Sequence, residues 1–266
     1  CRFCMEDKEI RKLPQLSLSQ LKEKIDAIDP IKNPKILFTG SEPTLNENLI
    51  EAVRYAKDMG FSEIGLITNG RRISYINYLK MLFSAGLNCI SVSLHGSRKE
   101  IHDKMTSTPK SFEQTIKGLE NIYKLRQNNN FNFNVNITVT NLNIEDLSSV
   151  LELAEKFSPD NIVLNPVIPL GRAGTDSQIP IRYSDFAKRA IELKKKFPKQ
   201  SIVINGLVPC LLTGNLNLLG TKEVIILPGK KKILIIPEHN KKVKIKCCMS
   251  CIKYDSCEGI WKTYID

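Results

Sequence analysis

The sequence predicts an α/β fold in which strand-helix units repeat around a parallel sheet and close into a barrel or partial barrel. Short runs rich in β-branched residues alternate with amphipathic stretches through the middle of the chain, which is the pattern of βα units. A length of 266 residues allows one such domain with a small appendage. Eight cysteines, gathered mostly near the two ends, indicate metal or cluster ligation rather than a disulfide scaffold.

Five strands and five helices are predicted in alternation. The strands cover residues 35–39, 63–68, 89–94, 133–140 and 161–165. The helices cover residues 46–59, 74–85, 111–127, 144–157 and 184–196, where apolar residues recur three and four positions apart. Five consecutive units favour a TIM-like partial barrel, (β/α)6 if a first strand precedes them.

The pattern changes near Ser201, where short strands follow one another without helices between them. These strands are predicted over 201–204, 222–227, 231–237 and 242–246, with a turn at Pro228 and Gly229. We therefore expect two domains, a partial barrel over 1–200 and a small β-rich cysteine module over 201–266.

Composition limits the classes of function. With 42% hydrophobic and 25% charged residues the chain is typical of a folded globular protein, and it has no run near the roughly 20 apolar residues that span a bilayer. We therefore expect a cytoplasmic protein without a membrane partner. The net charge of +11 could indicate nucleic acid, but the lysines are scattered along the chain, so nucleic acid is not the expected partner.

Two short motifs in the first 44 residues carry candidate chemistry. Cys1 and Cys4 are spaced so that both thiolates can reach one metal or cluster, although such a pair is equally typical of a zinc knuckle or a redox dithiol. Directly after the first predicted strand comes Gly40, Ser41, Glu42, Pro43. Taken alone, this could be an ordinary turn with a carboxylate near a helix N-terminus.

Together these motifs resemble the radical S-adenosylmethionine (SAM) family. Cys1, Phe3 and Cys4 match the end of its C-x3-C-x-aromatic-C pattern, and its Gly-Gly-Glu-Pro motif resembles residues 40–43, with Ser41 in place of the second glycine. The pattern's first cysteine and the barrel's first strand would lie upstream of residue 1. We therefore expect the sequence to be a fragment truncated at its N-terminus.

The resemblance implies a 4Fe-4S cluster on three thiolates, two of them from Cys1 and Cys4, with one iron open to the amino and carboxylate groups of SAM. Phe3 and residues 40–43 would then contact SAM, with Glu42 at its positively charged amine. Enzymes of this family cleave SAM reductively to a 5′-deoxyadenosyl radical that abstracts hydrogen from a substrate. A reductant such as flavodoxin or ferredoxin is an implied partner.

Barrel enzymes carry their chemistry at the C-terminal ends of the strands. These ends resemble the family in order over about residues 1–200. The further residues expected to contact SAM or substrate are Asn69, Ser93, His95, Asn136, Asn165 and Arg172. A purely structural histidine is the alternative for His95, and an exposed loop arginine is the alternative for Arg172.

Four cysteines form the candidate second site, namely Cys210, Cys248, Cys251 and Cys257. The spacing of the last three resembles part of the auxiliary-cluster modules called SPASM or twitch, whose next cysteine is replaced here by Trp261. Four thiolates suit a second 4Fe-4S cluster or a tetrahedral zinc ion. Cys247 is either a spare or the true fourth ligand, and Cys89 is expected to be a core side chain.

Enzymes with such modules often modify ribosomally made peptides, so a peptide is the first expected substrate. A nucleotide-derived small molecule is the second. A different class remains open, namely a non-catalytic zinc-binding or nucleic-acid-binding protein that uses the cysteine-rich tail as a zinc module. The strand-end motifs argue against that class, because a binding module has no need of Glu42 or Ser93.

Overall fold

Six parallel strands in chain order form the main sheet of the computed structural model, which describes residues 1–5, 14–212, 214–220 and 242–264. The strands are β1 Lys35–Phe38, β2 Glu63–Thr68, β3 Cys89–Ser93, β4 Asn132–Val139, β5 Asn161–Pro166 and β6 Ile202–Ile204. Parallel neighbours require crossover connections, and helices supply them here. The arrangement confirms the predicted α/β fold of the partial-barrel type.

The helices lie between the strands and on the flanks of the sheet. They are α1 Leu18–Asp26, α2 Leu49–Asp58, α3 Ile76–Ala85, α4 Lys99–Thr106, α5 Ser111–Arg126, α6 Leu147–Glu155, α7 Gly171–Thr175 and α8 Tyr183–Lys196. A two-stranded antiparallel ribbon follows, formed by β7 Lys242–Val243 and β8 Ile260–Trp261. None of the helices described here has the length and apolar character needed to cross a bilayer.

All five predicted strands and all five predicted helices are present, with their ends shifted by up to three residues. Helices α1, α4 and α7 were not predicted. The first begins with a capping box in which Ser17 Oγ accepts from the Gln20 amide and Gln20 Oε1 accepts from the Ser17 amide. Helices α4 and α7 have eight and five residues, so each offers few turns on which an apolar repeat can be recognised.

The strand predicted over 201–204 belongs to the parallel sheet and not to the C-terminal module, because Ile202 pairs with Ile162 of β5. This corrects its assignment. The strands predicted over 222–227 and 231–237, with the turn at Pro228 and Gly229, lie outside the described residues. The strand predicted over 242–246 is reduced to the two residues of β7.

Strand β4 illustrates how the sheet separates a core face from an interior face. Phe133, Val135, Ile137 and Val139 are fully buried in the hydrophobic core, whereas the residues between them are only partly buried. Successive side chains of a strand point to opposite faces. The apolar face therefore packs against the helices, and the polar face lines the inside of the partial barrel.

Candidate functional site

The cysteine segment, residues 1–5, is held from two sides at the carboxyl edge of the sheet. The Arg2 amide donates to the carbonyl of Met105 in α4 at 2.9 Å, and the Arg172 amide of α7 donates to the carbonyl of Cys4 at 2.9 Å. The Arg2 guanidinium also bonds Asp176 Oδ2 through Nε at 3.0 Å and Nη2 at 2.6 Å. The path of the segment is thus fixed largely by backbone hydrogen bonds.

Gly171 makes this approach possible. Its φ is +55°, and a Cβ at this position would lie 2.6 Å from the Met5 carbonyl oxygen and 2.8 Å from that of Cys4. Only glycine combines this left-handed conformation with such a close backbone contact. Local patterns do not reveal Gly171 or Asp176 as supports, because both act on residues more than 160 positions away in the sequence.

Cys1 and Cys4 lie in one tight turn, closed by the Cys4 amide donating to the Cys1 carbonyl at 3.4 Å. Both side chains are partly exposed. Two thiolates in one turn are a donor set that fits neighbouring corners of an iron-sulfur cluster. Among the described residues, no three His, Cys, Asp or Glu side chains converge on one metal position, here or in the tail.

Glu42 joins the end of β1 to the end of β2. Its Oε1 accepts from the Thr44 hydroxyl at 2.6 Å and the Thr68 hydroxyl at 2.7 Å, and its Oε2 accepts from the Asn69 amide at 2.8 Å. The preceding Gly40 and Ser41 have φ values of +92° and +35°. The turn therefore holds the carboxylate at the carboxyl edge of the sheet.

Three further predicted residues lie at the same edge, on the interior face. Ser93 is the register partner of Asn136, and Asn165 Nδ2 donates to Asn136 Oδ1 at 3.4 Å. One layer deeper, Asn161 Nδ2 donates to Asn134 Oδ1 at 2.9 Å. Hydroxyls and neutral amides thus line the interior. A cavity of about 330 Å³ opens beside the deeper layer and has no charged lining residue.

His95 is almost fully buried, with 5% of its surface exposed. Its Nδ1 accepts from the Thr138 amide at 3.2 Å, which leaves the ring proton on Nε2 in the neutral tautomer. The ring packs edge-on against Phe3 with centroids 4.6 Å apart. Burial and, after it, His102 lower the pKa of His95 well below its ordinary value. The neutral ring packs against the cysteine segment, and its contact with SAM stays a prediction.

The neighbouring buried histidine, His102, makes the stability of the protein depend on pH. Its Nδ1 accepts from the His95 amide at 3.2 Å, and burial lowers its pKa from 6.5 to about 4. Between these values the unfolded chain binds a proton that the folded chain excludes, so stability falls as pH falls from 6.5 toward 4. The shift corresponds to up to about 3 kcal/mol.

We expect His102→Asn, which keeps an acceptor near the Nδ1 position, to flatten this part of the pH profile. The free energy of unfolding in urea, measured between pH 4 and 7 for both proteins, checks the prediction. Equal slopes in the two proteins would show that His102 titrates normally in the folded state.

Arg172 carries a buried polar atom without a partner. Its Nε makes no hydrogen bond within the part of the chain that the structure describes, although the amide of the same residue bonds Cys4. A buried guanidinium N–H without an acceptor is costly. Its position beside the cysteine segment fits an anionic ligand such as a carboxylate.

The four tail cysteines predicted as ligands are electrostatic neighbours. Burial raises the pKa of the Cys210 thiol, and Cys257, Cys248 and Cys251 raise it further. Cys247 is exposed and is not among the groups that act on Cys210.

Two of these sulfurs also accept backbone N–H groups at 3.4 Å, Cys251 from Lys253 and Cys257 from Gly259. Such bonds stabilise thiolates and are usual around metal-bound sulfur. The donor set therefore suits a metal or cluster.

The tail is joined to the barrel by aromatic packing. The Tyr264 hydroxyl donates to the Val167 carbonyl at 2.6 Å, and its ring lies 4.5 Å from that of Tyr183 in α8. This contact holds the described end of the tail against the barrel.

Comparison with known proteins identifies relatives. A family model described as the radical SAM superfamily matches residues 1–154. An "AdoMet-dependent heme synthase" of Oleidesulfovibrio alaskensis is 33% identical over 121 residues, 45% of this chain and 31% of that protein. A "Probable GTP 3′,8-cyclase" of Saccharolobus islandicus is 29% identical over 136 residues, 51% of this chain and 42% of that protein.

The fold also has solved counterparts. Streptococcus suis SuiB, crystallised with its precursor peptide SuiA, matches with a TM-score of 0.59 at 11% identity, over 75% of this chain and 43% of SuiB. This chain thus spans less than half the length of each of these three proteins.

Proposed function

Because this chain belongs to the radical SAM superfamily, we propose that it cleaves SAM reductively to a 5′-deoxyadenosyl radical that abstracts hydrogen from a peptide. The observation that supports the proposal is the position of the cysteine segment, which backbone bonds to Met105 and Arg172 hold at the carboxyl edge of the sheet, with Phe3 against His95 two residues beyond Ser93. Barrel enzymes carry their chemistry at this edge.

In this proposal Cys1 and Cys4 supply two thiolates to the 4Fe-4S cluster, and Phe3 packs behind them against His95. When bound, the cluster and SAM supply the electron and the radical that no side chain can provide. Glu42 accepts a charge-assisted hydrogen bond from the positively charged amine of SAM. It is surrounded by Gly40, Ser41, Pro43 and Asn69. A flavodoxin or ferredoxin is the proposed reductant.

Arg172 offers its unpartnered Nε to a carboxylate of SAM or of the substrate. Ser93, Asn136 and Asn165 orient what enters the interior through neutral hydrogen bonds. The opposite face of β4 is packed into the hydrophobic core, so water cannot reach the interior through this strand.

The neutral interior supports a peptide as substrate. Asparagine amides both donate and accept, as peptide groups do, and the cavity beside Asn134 and Asn161 is lined without a charged side chain. A nucleotide-derived small molecule is the second candidate, which the similarity to a GTP cyclase favours. The same amides could bind the edge of a base.

The test uses the protein at its natural length, reconstituted anaerobically with iron and sulfide and reduced with dithionite. We expect 5′-deoxyadenosine and methionine to form from SAM. Short peptides encoded beside the gene, deuterated on carbon, should transfer deuterium into 5′-deoxyadenosine, whereas GTP should not. A protein that binds iron but forms no 5′-deoxyadenosine above the unreduced control contradicts the proposal.

We further propose that Cys210, Cys248, Cys251 and Cys257 bind a second 4Fe-4S cluster, with zinc as the alternative. Replacing Cys251 by serine should then remove about four irons per chain and leave SAM cleavage detectable. Cys247→Ser is the matched control, because Cys247 is exposed and is not among the cysteines that act on Cys210. Metal analysis of both variants distinguishes the alternatives. Loss of zinc from Cys251→Ser favours a structural zinc ion over the cluster. Unchanged metal content in Cys251→Ser excludes a metal site at these four cysteines.

A further inference from the structure

A cleft of about 590 Å³ opens at the carboxyl edge of the sheet beside Glu42 and Asn69, on the side of α3 and α5. We call it the Arg71 cleft. Its walls include Arg71, Arg72, Tyr75, Tyr78 and Leu45. The roles proposed above for SAM and the cluster use none of these five side chains.

One wall is rigid. Arg72 Nη1 donates to the Thr44 carbonyl at 2.7 Å, and the Tyr78 hydroxyl donates to the same oxygen at 3.3 Å. The Arg72 guanidinium also lies 4.7 Å from the centroid of the Tyr78 ring, a cation-π contact. These bonds fix the wall but leave the positive charge of Arg72 in the cleft.

Arg71 is held in place with part of its donor capacity unused. Its amide donates to Asn69 Oδ1 at 2.9 Å, and its Nε donates to Gln114 Oε1 at 2.6 Å. The two terminal nitrogens of the guanidinium make no hydrogen bond to any described residue. A guanidinium oriented in this way can bind a carboxylate through two parallel N–H donors at little cost in side-chain entropy.

The other walls are apolar and exposed. Tyr75 is 71% exposed and Leu45 is 58% exposed, although both are large hydrophobic side chains. A ligand that covers them gains from the removal of apolar surface from water. The cleft therefore combines one oriented cation with an apolar contact surface.

We propose that the Arg71 cleft is a recognition subsite for a carboxylate of the substrate peptide, carried next to an aromatic or aliphatic side chain. The inference rests on the proposed peptide substrate. Without SAM, two guanidinium groups and the Glu42 carboxylate give the lining a net charge of +1, which one carboxylate balances, and SAM that pairs with Glu42 leaves the two guanidinium charges to the substrate. In the same SAM-free protein, a doubly charged phosphate exceeds this balance and is repelled by Glu42.

Calorimetric titration at low ionic strength tests the subsite on the whole protein without SAM. The probes are acetyl-Phe-Glu-amide, its neutral counterpart acetyl-Phe-Gln-amide, and the competing anions inorganic phosphate and acetate. The acidic peptide should bind about tenfold more tightly than the neutral one, the expected value of one charge-assisted bidentate contact. Arg71→Gln should remove the difference. Arg54→Gln, which removes an exposed arginine of α2, should preserve it.

Tyr75→Ala is a second variant at an exposed position, where folding is not at risk. It should weaken both peptides while preserving the ratio between them. Equal binding of the two peptides to the parent protein, or an unchanged ratio in Arg71→Gln, overturns the subsite. Phosphate that displaces the acidic peptide more effectively than acetate does overturns the carboxylate assignment.

Uncoupled SAM cleavage by the parent protein, measured in parallel, separates the two proposals. Cleavage without charge-dependent peptide binding contradicts the subsite alone. Charge-dependent binding without cleavage contradicts the proposed function and leaves the subsite standing.

Discussion

Replacing Cys4 by alanine is expected to abolish the formation of 5′-deoxyadenosine from SAM. The change removes one thiolate corner of the proposed cluster, and an iron without its protein ligand is readily lost or reoriented. The product is quantified after anaerobic reconstitution and reduction. Because Cys4 is partly exposed and contacts its surroundings mainly through its backbone, the fold should survive the change.

The matched control is Cys89→Ala, at the start of β3 and away from both cysteine-rich ends of the chain. This variant should bind iron and cleave SAM as the parent protein does. If the Cys4→Ala protein cleaves SAM at the parental rate, the assignment of Cys4 as a cluster ligand is wrong.

Replacing Gly171 by alanine is expected to displace the cysteine segment and to reduce cluster loading strongly. The new methyl group would lie 2.6 Å from the Met5 carbonyl oxygen, closer than any stable contact, in a backbone conformation that alanine disfavours. Neither neighbour is a flexible side chain, so the segment must move. Iron content and the visible absorption of the reconstituted protein measure the effect.

Gly60→Ala is the control that separates the effect of the steric clash at Gly171 from the effect of backbone strain. Gly60 also has a positive φ, +93°, but a Cβ there meets nothing within 4 Å. It should lower the free energy of unfolding by about 1 kcal/mol and leave cluster loading unchanged. Equal iron content in the Gly171 and Gly60 variants would show that the cysteine segment does not depend on this contact.

The sequence was informative wherever a local period determines the structure. The alternation in β4 predicts its two faces, and the turn from Gly40 to Pro43 follows directly on a strand, so its place at the carboxyl edge could be anticipated. The sheet to which residues 201–204 belong could not be predicted, because a three-residue apolar strand has the same pattern in either sheet.

Contacts between segments that are far apart in the chain could not be predicted from the sequence either. Arg2 and Asp176 are 174 positions apart, and no spacing rule connects them. The Arg71 cleft was missed for another reason, because an arginine pair in a loop is ordinary on a basic protein. Only its oriented guanidinium and the exposed Tyr75 beside it distinguish the pair.

The division of β4 into alternating faces also has a consequence for how such a protein can diversify. Side chains at 133, 135, 137 and 139 hold the fold together, whereas those at 134, 136 and 138 face the interior. Mutations can therefore replace the residues at 134, 136 and 138 one at a time without disturbing the packing of the hydrophobic core. Selection for a new substrate and selection for stability then act on separate residues of the same strand.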